Sequence, residues 1–249
     1  MFAKSINRQN MNKEKKETRL SSLIDKAIFD YKMIEKNDRI LVGVSGGKDS
    51  TALLEYFSNR VKRPECNFEY KALHIHSDFA PPFPKEIYSL IKKWDVPYDV
   101  LDVNILERVK SGQKMSCWWC STQRRTELLN YAIEHGFNKI ALGHHLDDML
   151  ETFLMNMLGK GEISTMPPCL KYDNFPVTII RPLIYVCEEK LIKHAVERGY
   201  SRYTCTCDYQ DNSARKNARK LLEQLTEGSN SKKYMMLNAL KNVVPQYLP

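Results

Sequence analysis

The stretch "ILVGVSGGKDST", residues 40–51, constrains the fold of this chain more than any other. An apolar run, Ile40-Leu41-Val42, passes into two adjacent glycines, then Lys48, Asp49 and Ser50, and a helical pattern begins. It is not a Walker A loop, G-x-x-x-x-G-K-[ST]: Val42 stands where the first glycine belongs, and Asp49 follows the lysine. It is not the dinucleotide fingerprint G-x-G-x-x-G either, because Gly43 is followed by Val44-Ser45. What remains is Ser45-Gly46-Gly47-Lys48-Asp49-Ser50 between a strand and a helix. Two glycines allow positive φ and close approach of the backbone to a ligand. Free N–H groups at a helix start form an anion pocket. Ser45 and Ser50 add hydroxyls, and Lys48 adds a mobile charge. The turn reads as a phosphate site.

The rest of the chain repeats the strand–helix pattern. Residues 13–36 read as a helix with Leu20, Leu23, Ile24, Ala27, Ile28 and Tyr31 on one stripe. Strand 39–44, the turn and helix 49–60 follow. Next come strand 68–76, a proline-rich loop at 80–84, helix 84–95, strand 98–105 and a polar loop at 106–116. Helix 119–135 ends at Gly136, strand 138–143 follows, and helix 146–158 ends at Gly159. Residues 163–181 are irregular or short strands, helix 188–198 ends at Gly199, and two helices fill 211–242. Four alternations predict an α/β fold: a parallel sheet with helices on both faces and helical appendages at each end. The expected divisions are a helical extension at 1–36, a nucleotide-binding domain at 37–200 and a helical segment at 201–249. Ligands in such sheets sit at the carboxyl ends of strands. The glycine turn and a second motif, Gly143-His144-His145-Leu146-Asp147-Asp148, both fall there.

No apolar run is long enough for a membrane span, and "VTIIRPLIYV" holds Arg181. The polar, charged N-terminus is no secretory signal, so a cytoplasmic protein is expected. The net charge of +8 is compatible with a polyanion partner. The 7 cysteines are an odd number, which favours metal or redox chemistry over a disulfide framework. Cys117 and Cys120, in "CWWC", open a helix, where thiolate is favoured. Cys205 and Cys207, in "YTCTC", offer further ligands. Two plus one thiolates hold three irons of a [4Fe-4S] cluster, and two plus two suit a closed zinc site. Cys66, Cys169 and Cys187 are solitary and read as small buried hydrophobes.

Asp147 and Asp148 begin a helix. They either complement its dipole or hold Mg²⁺ or orient a base. His144 and His145 read as turn residues, and His74 and His76 as packed or solvated strand residues. Arg124, Arg125, Arg215, Lys216, Arg219 and Lys220 are candidate phosphate contacts, or else a solvated helix face. Trp118 and Trp119 could stack on an unpaired base or pack locally.

Residues 45–50 resemble the PP-loop of N-type ATP pyrophosphatases. With "CWWCSTQRR", "NKIALGHHLDDMLETFLMN", "MPP", "IIRPL" and "NVVP", residues 20–247 resemble the tRNA 2-thiocytidine synthetase (TtcA) family. The resemblance implies a PP-loop, Rossmann-like fold and ATP-dependent thiolation of a tRNA cytidine at position 32 of the anticodon loop. Adenylation makes the base oxygen a leaving group; Ser45, Gly46, Gly47, Lys48, Asp49 and Ser50 hold the pyrophosphate. Asp49 is a candidate Mg²⁺ ligand. His76, through its backbone, and Gly143 join the ATP site. Sulfur arrives on the open iron of a [4Fe-4S] cluster held by Cys117, Cys120 and Cys205. Asp147, Asp148 and Arg124 complete the catalytic set, and Arg125, Arg181, Arg215 and Arg219 the RNA contacts. The implied partners are tRNA, a cysteine desulfurase or other sulfur donor, and a second copy of the chain as a candidate homodimer. Two departures stand out. The family's P-C-x-x-C is Cys205-Thr206-Cys207 here, with Cys205 at the ligand position counted from Arg181. The family's lysine after M-P-P is Cys169, which bears on a substrate contact. The competing readings are a persulfide-type thiolase, a lysidine synthetase, and a zinc-stabilised RNA-binding module without enzyme activity.

Overall fold

The structure, a computed structural model, describes residues 18–78, 80, 82–109, 117–173, 175–200 and 213–247. Cys205 and Cys207, and the starts of the helices expected over 13–36 and 211–242, lie outside the described residues. The strands are β1 (Arg39–Gly43), β2 (Glu69–Ser77), β3 (Tyr98–Val103), β4 (Lys139–Ala141), β5 (Cys169–Lys171) and β6 (Thr178–Ile180). The helices are α1 (Leu20–Asp30), α2 (Lys48–Arg60), α3 (Lys85–Lys93), α4 (Cys117–Glu134), α5 (Leu146–Lys160), α6 (Glu188–Arg198), α7 (Ser213–Thr226) and α8 (Asn230–Lys241).

One six-stranded sheet runs in the order β3-β2-β1-β4-β6-β5. All neighbouring pairs are parallel except β5 with β6. The short strands left open at 163–181 therefore close one edge with an antiparallel pair, where β5 and β6 pair Cys169 with Ile180. Period-two alternation sends Ile40 and Val42 to one core, and Leu41 to the other. The first core also takes Ile24 and Ala27 of α1, Leu53 of α2, Leu150 of α5, Leu191 of α6, and Leu222 and Leu237 of α7 and α8. The second joins Leu73, Ile140 and Ile179 of the sheet to Leu129 and Ala132 of α4. The described parts of the three expected divisions thus share packing: α1 and α7–α8 are seated in the core of the central unit.

Two helix ends correct the sequence reading. α5 runs past Gly159 to Lys160 and is capped by Gly161, at φ 68° in the left-handed region. At the other end of the chain, α1 closes at Asp30, not 36, with Lys32 at φ 49° just beyond it. The chain leaves β1 for β2 on one side and later returns to β4 on the other. The carboxyl end of β1 is therefore the switch point at which α/β sheets open a ligand crevice.

Candidate active site

The phosphate turn occupies that crevice. Val44 continues the β1 ladder with its N–H on the Leu73 carbonyl, 2.9 Å. Gly46 then takes φ +84°, whereas Gly47 is extended, at φ −80° and ψ 164°. Only one of the two glycines thus needs the left-handed region; the other is the N-cap of α2. Ser50 binds the turn to itself, its hydroxyl 3.2 Å from the Ser45 amide and 3.1 Å from the Gly47 carbonyl. Thr51 adds a hydroxyl bond to the same carbonyl at 2.9 Å. The first amides of α2, at Lys48 and Asp49, have no carbonyl four residues back inside the helix and remain donors for an anion. The Lys48 ammonium lies 3.2 Å from Asp49 and 3.1 Å from Glu188. These two carboxylates raise the Lys48 pKa against the opposing effect of burial, which is the largest single influence.

The second motif packs directly on the first. A Cβ on Gly143 would stand 3.0 Å from the Ser50 nitrogen and 3.2 Å from the Asp49 carbonyl carbon. Gly143, set down as an ATP contact, is here the point where two loop backbones touch. His145 caps α5, and its amide donates to Asp148 at 3.1 Å. Asp147 and Asp148 are both committed to neighbours. Asp147 accepts from the Glu188 amide at 2.7 Å and from Lys233 at 2.6 Å. Asp148 meets Arg215 at 3.2 Å. One turn on, the almost wholly buried Glu151 meets Arg219 at 2.7 Å. Arg215 and Arg219, candidate RNA contacts, thus fasten α7 to α5. Burial still pushes the Glu151 carboxyl up.

A 220 Å³ cavity opens beside the turn, over the ends of β1 and β2 and under α4. It is lined by Ser45, Ser121, Arg124, Arg125 and His144 among others. Here the structure brings together the turn, the "QRR" of α4 and the second motif. The Nδ1 of His144 is buried without a hydrogen-bond partner among the described residues. Burial holds its pKa low, so the ring is neutral near pH 7. Arg181 is turned inward: its guanidinium donates to the Pro167 carbonyl at 2.5 Å, and burial lowers its pKa to about 10. The Cys169 thiol points at the Tyr31 carbonyl, 3.6 Å away, and does not line this cavity.

Cys117 and Cys120 begin α4, one turn apart, and Cys120 is half-buried against the second core. The placement at a helix start agrees with the sequence reading and suits a soft metal or cluster ligand. His76 pairs with Asp102 across β2 and β3 at 2.9 Å.

Three residues acquire roles that sequence reasoning missed. His74, read as packed or solvated, is packed and also bonds through Nδ1 to the Val44 carbonyl at 2.8 Å, pinning the entry to the turn. Burial lowers its pKa to about 4, so Nδ1 is the donor of a neutral ring. The alternation His74-Ile75-His76 was the only local signal. Glu188 and Lys233 carry no local signal; both depend on contacts more than forty residues away in sequence.

The PP-loop domain family matches residues 12–225. A tRNA-cytidine(32) 2-sulfurtransferase of Variovorax paradoxus is 37% identical over 239 residues, spanning 94% of this chain and 77% of the relative. One from Coxiella burnetii is 36% identical over 247 residues, spanning 96% and 94%. The U34-tRNA thiolase NcsA from Methanococcus maripaludis, solved with its [4Fe-4S] cluster, aligns with a TM-score of 0.74 at 21% identity, over 89% of this chain and 77% of that one. At that identity the likeness is one of fold. With its phosphate turn, second motif and "CWWC" helix gathered at one end of the sheet, and with these relatives spanning nearly all of it, the chain belongs to the PP-loop family and, within it, to the tRNA 2-thiocytidine synthetase (TtcA) family.

Proposed function

We propose that the protein is an ATP-dependent tRNA sulfurtransferase that converts a cytidine, position 32 of the anticodon loop, to 2-thiocytidine. The observation that carries this reading is the meeting of the phosphate turn, Arg124 and His144 around one cavity, directly beneath the helix that Cys117 and Cys120 open. The cytidine O2 attacks the α-phosphate of ATP, and pyrophosphate leaves. The amides at the start of α2 and the Lys48 ammonium receive that pyrophosphate and offset its charge. Asp49, beside Lys48, is the candidate for Mg²⁺. Arg124 and Arg125 line the cavity, which supports roles for Arg124 in stabilising the adenylated base and for Arg125 in meeting the RNA backbone. The neutral His144, its Nδ1 without a partner among the described residues, orients the pyrimidine ring. Cys117, Cys120 and Cys205 would hold a [4Fe-4S] cluster, which would supply the sulfur that replaces the adenylated oxygen, with AMP as the leaving group. The sulfur originates from a cysteine desulfurase. A homodimer in the cytoplasm is the expected working form, and no helix among the described residues is long and apolar enough to cross a membrane.

The test is direct. Protein purified without oxygen, given a tRNA transcript, ATP, Mg²⁺ and a sulfur source, should yield 2-thiocytidine by nucleoside mass spectrometry. A cytidine-32 substitution in the transcript should abolish the product. Product from that transcript would move the target base.

A further inference from the structure

Four charged side chains on four elements stand in series behind the phosphate turn. Lys233 of α8 is buried, and its ammonium lies 2.6 Å from Asp147 Oδ1. The other oxygen of that carboxylate accepts the amide of Glu188, the first residue of α6, at 2.7 Å. The Glu188 carboxylate then reaches the Lys48 ammonium at 3.1 Å. Asp147 has both oxygens engaged, so its orientation is fixed. Lys233 is the ion-pair partner of this buried carboxylate.

We propose that Lys233 is a positioning residue for the phosphate turn: through Asp147 and the amino end of α6 it fixes Glu188, and Glu188 holds Lys48 over the turn. The inference rests on ATP being the ligand of that turn. Its consequence is architectural. α6 ends at Arg198 and α7 begins at Ser213, and Cys205 lies between them. Both flanks of that segment are anchored on α5: α6 by Asp147, α7 by the Arg215–Asp148 and Arg219–Glu151 pairs, and α8 beyond them by Lys233. Lys48 is therefore in place only when the chain on both sides of the third cysteine has docked. The phosphate turn is thus coupled to the docking of α6 and α8 on α5.

Titration calorimetry with ATP and Mg²⁺, without tRNA, tests the relay. Lys233→Met should weaken ATP binding about tenfold, a typical coupling between linked residues. The decisive measurement is the double variant with Lys48→Met. Lys233 and Lys48 do not touch, so a purely structural loss would multiply the two effects. The relay requires that Lys233→Met cost nothing further once Lys48 is gone. Glu188→Ala repeats the cycle with a half-buried side chain whose amide stays on Asp147, and should also weaken binding only while Lys48 is present. If Lys233→Met shows no cooperative melt, the Glu188 cycle decides. Multiplying losses in both cycles, or unchanged or tighter binding in the Lys233 and Glu188 variants, overturn the relay. A wild-type isotherm that shows no ATP binding instead removes the nucleotide reading, and the relay falls with it.

Discussion

Gly143 lies against Ser50 so closely that a single methyl group would stand 3.0 Å from the Ser50 nitrogen. Two loops from the ends of neighbouring strands β1 and β4 therefore meet backbone to backbone, and the atoms a methyl would strike are peptide atoms that cannot rotate away. Gly143→Ala should displace the start of α2, with a stability loss of about 1–3 kcal/mol, typical of overpacking. ATP affinity should fall by at least about tenfold. Thermal melts and calorimetry of the one variant check both; wild-type ATP affinity would mean that the loops separate freely.

The two glycines of the turn should differ. Gly46 sits at φ +84° and Gly47 at φ −80°. Gly46→Ala forces a side chain into the left-handed region, at a cost of about 1–2 kcal/mol. It also brings Cβ to 3.0 Å from Pro84 Cδ. Gly47→Ala meets no such backbone strain. Urea midpoints of the pair should rank Gly47→Ala above Gly46→Ala, and equal midpoints would contradict the assigned conformations.

His74 makes stability depend on pH. Its folded pKa, about 4, lies below the ordinary value near 6.5. Between those values the unfolded chain binds a proton that the native ring refuses, so stability rises with pH across that window and is lost as pH falls from 6.5 towards 4. His74→Asn keeps a donor for the Val44 carbonyl and removes the titration. The slope of unfolding free energy against pH over that interval should become shallower by up to one proton. An unchanged slope would place the titration elsewhere.

The arginines should divide into two groups. Arg124 and Arg125 line the cavity, while Arg215 and Arg219 are paired to Asp148 and Glu151. Arg125→Ala should weaken tRNA binding and reduce the salt slope by roughly 0.7–0.9. Arg219→Ala should instead remove the hydrogen-bonded partner of the buried Glu151, leaving only Arg215 at 3.8 Å, and destabilise the α5–α7 contact by roughly 1–3 kcal/mol. Salt-dependent tRNA binding together with melts of each variant separates the groups; a salt slope that moves with Arg219 and not with Arg125 would invert them.

Cluster ligation should follow the spacing of the cysteines. Cys117→Ala, Cys120→Ala and Cys205→Ala should each lose iron and the broad visible absorption when purified without oxygen, while Cys207→Ala retains them. Three protein thiolates leave one iron open, and a fourth would close it. Iron retained in Cys205→Ala and lost in Cys207→Ala would shift the third ligand by two residues. One stoichiometric zinc with no iron would favour a closed zinc site.

The sequence by itself determined the elements whose signals are local. The apolar run at 40–42, the glycines behind it and the strand–helix alternation specify a parallel sheet with a phosphate turn, because period and turn chemistry act over a few residues. "CWWC" announced two cysteines at a helix start for the same reason. Only the tertiary structure decided which charges stay open and which are used. Asp147 and Asp148 read as dipole-complementing or catalytic residues, and Arg215 and Arg219 as phosphate contacts or a solvated face; the structure pairs them with partners 41 to 86 positions away. Likewise the close approach of Gly143 to Ser50 has no signal in the sequence. An ion pair or a backbone contact depends on where the packed helices bring two atoms, and no local pattern records that distance.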